Sequence, residues 1–285
     1  IIPQKEALMY PNTLFSIFGP DVTLYSLCMA AGIICCFLFL WVTLKKAGFN
    51  NDARDIILCT GLLAVPVGIF FAMLFQSIYD YLDDPTATFR LTGKMTFLGG
   101  LIGGAAAYLL FYNLYMYVIA PRTKIRWLKN NANTGLCDAL PVIPIGISLA
   151  HAFGRLGCFF AGCCSGEPSD AWFAIACSET YPGVRVVPVQ LFECLFLLVL
   201  SGVMAFLWFR FRCGYNLSVY SIGYGVWRFC IEFLRGDARG SFVGMLSPSQ
   251  FWSLILIVCG IAYIFLYRFV LRKKCRLLTQ EQRSP

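Results

Sequence analysis

Charged residues are scarce in this chain of 285 residues, at 13% of the total against about 25% in a soluble globular domain. Hydrophobic residues make up 59% of the sequence, and they gather in runs long enough to cross a bilayer. The scarcity of charge therefore excludes an ordinary soluble domain and predicts an integral membrane protein surrounded by membrane lipids.

Histidine is almost absent too, with one residue, and 15 acidic residues stand against 23 basic ones. The resulting charge of +8 would suit a nucleic-acid partner, but the basic residues lie between apolar segments, where membrane topology explains them. We therefore expect no nucleic-acid partner.

Cysteine is plentiful, at 14 residues, yet many of these lie within apolar runs, where a thiol behaves as a small hydrophobe.

Apolar segments of about 20 residues, the length of a transmembrane helix, occur seven times. They cover roughly residues 22–44, 56–79, 95–120, 138–160, 188–209, 216–234 and 249–271. We predict an all-α integral membrane protein with seven transmembrane helices, forming a single polytopic domain over residues 1–285. The connection 166–187 is expected to form a small extracytoplasmic loop region or head.

The connections between these segments alternate in charge. Basic residues cluster in four regions, which are 45–55, 121–131, 210–215 and the tail after 271. The three connections between them, 80–94, 166–187 and 235–248, hold few basic residues and a set of acidic ones, which are Asp80, Asp83, Asp84, Glu167, Asp170, Glu179 and Asp237. The positive-inside rule assigns the basic side to the cytoplasm, so we predict an N-terminus outside and a cytoplasmic C-terminus.

A polar site is predicted around residues 151–166, where the only histidine and an arginine lie four residues apart. On a helix, His151 and Arg155 share one face. An arginine inside a bilayer is costly, so it marks a polar site rather than packing. We therefore expect the centre of a lipid-handling site here.

A second polar group lies in the sixth predicted span, where Arg228 and Glu232 can pair on one helix and Arg235 follows one turn later. A structural ion pair inside a helical bundle is one interpretation. Buried ion pairs stabilise weakly, however, and converging arginines suit a phosphate. Glu193, near the start of the fifth span, is either an interfacial carboxylate or part of this site.

Glycines recur early in the third predicted span, at Gly99, Gly100, Gly103 and Gly104. Small residues allow close helix packing, which is one interpretation of this pattern. The other is that lipid or substrate backbone lies against the glycines.

Four motifs together resemble the prolipoprotein diacylglyceryl transferase family of the bacterial inner membrane. In chain order they are Phe-x-Gly99-Gly-Leu-Ile-Gly103, Gly-Arg155-Leu-Gly-x-Phe-x-x-Gly, Pro188-x-Gln190-Leu-Phe-Glu193 and Tyr224-Gly-x-x-Arg228-Phe-x-x-Glu232-Phe-x-Arg235. The resemblance covers nearly the whole chain. The family has seven spans with the N-terminus outside, in agreement with the loop charges.

The resemblance implies a multi-pass enzyme that moves a diacylglyceryl group from phosphatidylglycerol to the lipobox cysteine thiol of a prolipoprotein signal peptide. A thioether forms and glycerol phosphate leaves, and we expect no metal and no cofactor. Arg155 matches the family's phosphatidylglycerol-binding arginine and Arg228 its second essential arginine, whereas Glu193 and Glu232 match carboxylates that orient the site. The remaining predicted substrate-binding residues are Arg235, Gln190, Cys158 and the four glycines.

The sequence departs from the family pattern at several positions. Leu98 stands where the family usually has histidine, and Cys158, Ala161 and Cys163 replace two asparagines and a glutamate. A proposed general base is therefore missing. His151 is a candidate replacement that would assist deprotonation of the acceptor thiol, and its alternative is a hydrogen-bonded core histidine.

The thiols of Cys158, Cys163 and Cys164 admit three interpretations. Simple packing is favoured over an extracytoplasmic disulfide, and a disulfide over a metal site, because the spacing matches no familiar metal motif.

Two other functions stay open. One is a divergent relative that moves a lipid group to another acceptor, which the replaced histidine and asparagines motivate. The other is a non-enzymatic phospholipid-binding membrane protein, against which the paired arginines argue.

Overall fold

The computed structural model describes residues 14–16, 21–83, 91, 96–122, 135–236 and 246–271. Its secondary structure is helical apart from isolated bridges and one short ribbon. In the ribbon, strand β1 (Phe15–Ser16) pairs antiparallel with strand β2 (Asp21–Val22).

The described α-helices follow the apolar runs of the sequence. They are α1 (Leu24–Lys46), α2 (Asn51–Asp83), α3 (Phe97–Leu114), α4 (Ala120–Arg122), α5 (Leu136–Ala139), α6 (Ile143–Phe160), α7 (Val189–Phe211), α8 (Asn216–Ile231) and α9 (Pro248–Leu266). A π-helical turn (Tyr115–Ile119) joins α3 to α4, and another (Tyr267–Leu271) extends α9. A 3₁₀ turn (Glu232–Leu234) extends α8.

Six stretches of helix in the described chain are long and apolar enough to cross a bilayer. They are Leu24–Lys46, Asn51–Tyr81, Gly99–Arg122, Ile143–Phe160, Val189–Phe211 and Pro248–Leu271. The chain is therefore a helical membrane protein with several spans. The other predicted span, 216–234, is α8 with its 3₁₀ turn, and α8 alone has 16 residues. The count of seven stays a prediction.

The chain divides into two compact units, one of Ile1–Thr43 with Cys137–Pro285 and the other of Leu44–Leu136. In the first unit, α6 packs against α7, and α8 packs against α9. A buried hydroxyl links α6 to α7, where Ser148 donates a 2.9 Å hydrogen bond to the carbonyl of Leu197. Such bonds satisfy polar groups in an apolar surrounding. The prediction of a single domain over residues 1–285 stays a prediction.

Some predicted features lie outside the described residues. They are Asp84, Asp237, the basic residues of connection 121–131 beyond Arg122, and the tail from Arg272 onward. The orientation that these charges predict is taken up with the proposed function.

Candidate active site in a buried cluster of arginines

Side chains from three helices meet at Arg155 of α6. Its Nη2 lies 3.1 Å from Oε1 of Glu193 on α7 and donates a 3.3 Å hydrogen bond to the hydroxyl of Tyr224 on α8. Tyr224 donates to the same Glu193 oxygen at 2.7 Å. The exposed fraction is 13% for the Arg155 side chain and 1% for Glu193, so only the arginine reaches open space.

A second group of side chains surrounds Glu232, at the end of α8. Arg228 Nη1 lies 2.7 Å from Glu232 Oε2, and Nε of Arg235 lies 3.9 Å from the same oxygen. The other carboxylate oxygen accepts a 2.9 Å hydrogen bond from Ser247. Arg228 also donates to Ser249 at 2.8 Å. One carboxylate therefore lies beside two arginines, and the helical spacing of the sequence accounts for its pairing with Arg228.

The two groups form one electrostatic cluster. Glu193 lies within electrostatic range of both Arg155 and Arg228, and Arg228 follows Tyr224 by one turn of α8. Three guanidinium groups and two carboxylates leave one net positive charge in a largely buried place. A phosphodiester carries one negative charge, and guanidinium groups match its oxygens in geometry. The cluster is therefore a candidate site for an anionic lipid head group.

His151 lies beside this cluster, on the same face of α6 as Arg155. Its Nδ1 is 3.2 Å from the Tyr220 hydroxyl, and its ring meets the Tyr224 ring edge to face at 4.7 Å. The histidine thus contacts the tyrosine that binds Glu193. Both predicted roles of His151 are compatible with this position.

Three thiols gather where α6 ends. The Sγ atoms of Cys158, Cys163 and Cys164 all lie within 4.8 Å of one another. The chain reverses there through Gly162 at φ +67° and Cys164 at φ +63°. A left-handed conformation costs about 1 kcal/mol or more for a residue with a Cβ, so the turn that gathers the thiols is strained at Cys164.

The thiols differ in acidity because their surroundings differ. Hydrogen bonds from Cys158 and Cys163 hold the pKa of Cys164 below its ordinary value, and Arg235 adds to the effect. Burial instead raises the pKa of Cys177 to about 11.

The connection 166–187 closes back onto the segment that carries Arg235. Gly166 pairs with Arg235 in an isolated bridge and donates to the Val187 carbonyl at 2.9 Å. A Cβ on Gly166 would lie 2.6 Å from the Leu234 oxygen, so only glycine fits without a backbone shift. Arg235 is therefore held by backbone as well as by Glu232.

The family model described as prolipoprotein diacylglyceryl transferase matches residues 12–266, a range that contains the whole arginine cluster. The chain belongs to this family. The resemblance seen in the four motifs is thereby confirmed, and the chain is a diacylglyceryl transferase, a membrane-bound enzyme.

Curated relatives resemble the chain over nearly its full length. A protein of Clostridium tetani is 30% identical over 262 residues, covering 90% of this chain and 97% of the relative. One of Clostridium perfringens is 32% identical over 258 residues, covering 87% and 92%. One of Vibrio parahaemolyticus is 31% identical over 276 residues, covering 89% and 90%. Each is named phosphatidylglycerol–prolipoprotein diacylglyceryl transferase.

The predicted glycines of this family member lie in the second unit and face α2. They are Gly99, Gly100, Gly103 and Gly104. A Cβ on Gly103 would lie 2.3 Å from Cβ of Phe71, and one on Gly104 would lie 3.6 Å from Cα of Gly68. This position matches the interpretation as close helix packing, and a contact with substrate stays a prediction.

Gln190 is buried at the start of α7, where its Nε2 donates to the Cys163 carbonyl at 2.7 Å. It therefore holds the thiol-bearing turn in place. Its predicted contact with substrate stays a prediction, as does that of Cys158.

Sequence reasoning missed two polar residues of this transferase, Tyr224 and Ser247. Tyr224 bridges Arg155 and Glu193, although it stands inside a quoted motif one turn before Arg228. Ser247 was missed too, and its signal was the Ser-x-x-Gln spacing with Gln250. Ser247 accepts a hydrogen bond from the Gln250 backbone in a capping box at the start of α9, and its hydroxyl also reaches Glu232.

Proposed function

We propose that this chain transfers the diacylglyceryl group of phosphatidylglycerol to the thiol of the lipobox cysteine in a prolipoprotein signal peptide. The family match and the names of the relatives support this reaction. The observation that carries the proposal is the buried arginine cluster with one net positive charge.

The reaction displaces a phosphate from carbon. The acceptor thiolate forms a C–S bond to the glycerol carbon, the C–O bond to the phosphodiester breaks, and glycerol phosphate leaves. The phosphate changes from a monoanion to a dianion, so fixed positive charge stabilises the transition state more than the bound lipid. We assign Arg155 and Arg228 to this task and Arg235 to substrate binding.

The carboxylates of Glu193 and Glu232 orient the arginines before lipid arrives. Glu193 and the Tyr224 hydroxyl both hold Arg155 on one side, which leaves the rest of its guanidinium for the phosphate. Oε2 of Glu193 has no hydrogen-bond partner among the described residues, although the side chain is fully buried. A buried oxygen of this kind suits a donor that arrives with substrate, such as a glycerol hydroxyl.

His151 is our candidate for the group that accepts the proton of the acceptor thiol. It lies on the Arg155 face of α6 and contacts two tyrosines of α8, Tyr220 and Tyr224. A neutral imidazole next to a phosphate site can take a proton released by a thiol.

We also propose seven spans in the bacterial inner membrane, with the N-terminus outside, the C-terminus in the cytoplasm and connection 166–187 as an extracytoplasmic head. The first, fifth and last of these spans each end in basic residues, which are Lys45 and Lys46, Arg210, and Arg268. These ends share the cytoplasmic side only if α8 crosses the bilayer. The positive-inside rule therefore supports α8 as the sixth span.

Complementation tests the proposed reaction. A strain depleted of its own transferase is expected to recover growth and lipoprotein modification when it expresses this chain. Phosphatidylglycerol turnover without rescue would indicate the second candidate function, a different acceptor, which the replacements at Leu98, Cys158 and Ala161 favour. If the strain shows no rescue and no phosphatidylglycerol turnover, both candidate reactions are contradicted, and lipid binding without catalysis remains.

A further inference from the structure

The three thiols at the end of α6 have the geometry of a metal site. Their Sγ atoms all lie within 4.8 Å of one another. A tetrahedral zinc ion with Zn–S bonds of about 2.3 Å holds its sulfur ligands about 3.8 Å apart. The thiols of Cys158, Cys163 and Cys164 therefore need to move by only about an ångström to share one ion.

The backbone around these thiols is built to gather them. The left-handed residues Gly162 and Cys164 fold the chain back on the end of α6. Gln190 binds the Cys163 carbonyl at 2.7 Å, and the Glu179 backbone N–H donates to the Gly162 carbonyl at 2.9 Å. The turn brings the three thiols together, whereas no helical or strand period relates their positions. The spacing of the cysteines in the sequence therefore matches no familiar metal-binding motif.

The electrostatic surroundings suit an anionic metal complex. Arg235 makes a hydrogen bond to Cys164, and Arg155 lies within electrostatic range of both Cys158 and Cys164. One Zn²⁺ with three thiolates carries one net negative charge, which adjacent guanidinium groups offset.

We propose that Cys158, Cys163 and Cys164 hold a Zn²⁺ ion with one open coordination position, and that the acceptor thiol of the prolipoprotein occupies it. Three protein ligands with an open position are typical of catalytic zinc, and a thiol bound to zinc is deprotonated. The second half of this proposal rests on the proposed function. It supplies an activated nucleophile in a chain that has Leu98 where its family usually has histidine.

The step balances without a redox partner. The acceptor S–H loses its proton to His151 or solvent, and the thiolate binds zinc. Its sulfur then forms the C–S bond while the C–O bond pair leaves with the phosphate, which the arginines hold. The thioether product is neutral and binds zinc weakly, so the position opens again.

Cobalt provides a direct test of the site. We expect the reduced, metal-free full chain in detergent to bind one Co²⁺ and to show the sulfur-to-cobalt charge-transfer absorption of thiolate ligands, which Zn²⁺ bleaches. Cys158→Ser, Cys163→Ser and Cys164→Ser should each weaken Co²⁺ binding at least about 100-fold. Cys59→Ser, an exposed cysteine of the second unit, is the matched control and should change nothing. Co²⁺ uptake that is equal in the wild type and the three variants would overturn the site.

Thermal unfolding of each serine variant in detergent shows whether weaker Co²⁺ binding results from the missing thiol or from an unfolded protein. A variant that melts within a few degrees of the wild type and binds no Co²⁺ supports the proposal. If every variant unfolds, thiol footprinting of the wild-type protein still tests the metal site. Bound Zn²⁺ should protect Cys158, Cys163 and Cys164 from alkylation, and alkylation at an unchanged rate would contradict the site.

The open position is tested with acceptor peptides. A lipobox peptide with cysteine should intensify the charge-transfer absorption of the Co²⁺ form, whereas the same peptide with serine should not. An equal response to both peptides overturns the role of the metal in acceptor binding.

A transfer assay run in parallel distinguishes failure of this proposal from failure of the proposed function. Transfer that survives both chelation and Cys164→Ser overturns the zinc proposal and leaves the reaction standing. A site that binds Co²⁺ and the cysteine peptide in a chain that never transfers lipid overturns the reaction and leaves the metal site standing.

Discussion

At the scale of single residues, Arg155 has two partners in place before any lipid binds, Glu193 at 3.1 Å and Tyr224 at 3.3 Å. A buried ion pair contributes little to stability relative to apolar packing, yet removing one partner costs about 3–5 kcal/mol. Stability alone therefore gives no reason for this arrangement. The proposed function gives one, because positive charge that is already in position would stabilise the departing phosphate.

We predict that Arg155→Lys lowers transfer of diacylglyceryl by at least about 100-fold, the loss typical of removing one donor at a developing anion. Lysine keeps the positive charge, so Glu193 is not left buried and unpaired, but it lacks the fork that binds two phosphate oxygens. Incorporation of labelled lipid into a lipobox peptide measures the effect. Arg155→Ala should abolish transfer.

The matched control for this variant is Arg210→Lys, which changes an exposed arginine at the end of α7. It should transfer lipid at the wild-type rate. Activity of Arg155→Lys equal to this control would remove Arg155 from phosphate binding.

For His151, we predict that His151→Gln lowers transfer by about 100-fold, the lower end of what a general base contributes. Tyr220→Phe removes only the hydroxyl 3.2 Å from Nδ1 and should cost less than about tenfold. Initial rates at saturating lipid and peptide provide the comparison. Unchanged turnover in His151→Gln would assign the histidine to the core.

The residues of the site differ in how far the sequence could predict them. Arg228 and Glu232 lie four apart on one helix, so their pairing follows from helical period alone. Arg155 and Glu193 come from different helices, and no period relates their positions. Their contact depends on how α6 packs against α7, which only the folded chain determines.

At the scale of helices, α2 and α3 approach each other through glycines that leave no room for a side chain. We predict that Gly103→Ala destabilises the protein by about 1–3 kcal/mol, because the new Cβ would overlap Phe71. Gly202→Ala is the control in α7, where the added Cβ would meet no side chain and no backbone of another segment within 4 Å among the described residues. It should stabilise by about 0.5–1 kcal/mol through helix propensity. Melting temperatures in detergent should move in opposite directions.

The same variant tests the other interpretation of these glycines. If lipid lies against Gly103, then Gly103→Ala would raise the KM for phosphatidylglycerol while the melting temperature stays constant. A lower melting temperature with an unchanged KM supports packing.

The sequence predicted helices well because apolar runs determine them. The run 188–209 became α7 (Val189–Phe211), within two residues at either end. The run 216–234 likewise coincides with α8 and its 3₁₀ turn, but the sequence did not predict that the α-helix ends at Ile231 and that Glu232 begins the turn. Composition cannot show where hydrogen bonding changes from one helical type to another.

At the scale of the whole molecule, the path of α8 decides the side on which the chain ends. We predict that green fluorescent protein fused after Pro285 fluoresces, because the seven spans proposed above would place the C-terminus in the cytoplasm. Alkaline phosphatase fused within connection 166–187 should be active, and the same enzyme fused after Arg212 should be inactive. If the fluorescent fusion after Pro285 does not fluoresce and alkaline phosphatase fused at the same site is active, α8 does not cross the bilayer.

Family and reaction were predictable from the sequence, because they depend on which residue types occur in which order. The assembled site was not, because Tyr224, Ser247 and the thiol turn act through positions in space. The strained φ of Cys164, for example, has no sequence signal, since left-handed conformations favour glycine or asparagine and not cysteine.

The one unbalanced positive charge of the arginine cluster has a consequence for which lipids the enzyme accepts. The three arginines and two carboxylates of the cluster hold this charge in a largely buried place. An acidic head group satisfies it, whereas a zwitterionic one would bring an ammonium ion among the guanidinium groups. We therefore expect electrostatic repulsion, without a shape filter, to discriminate against phosphatidylethanolamine.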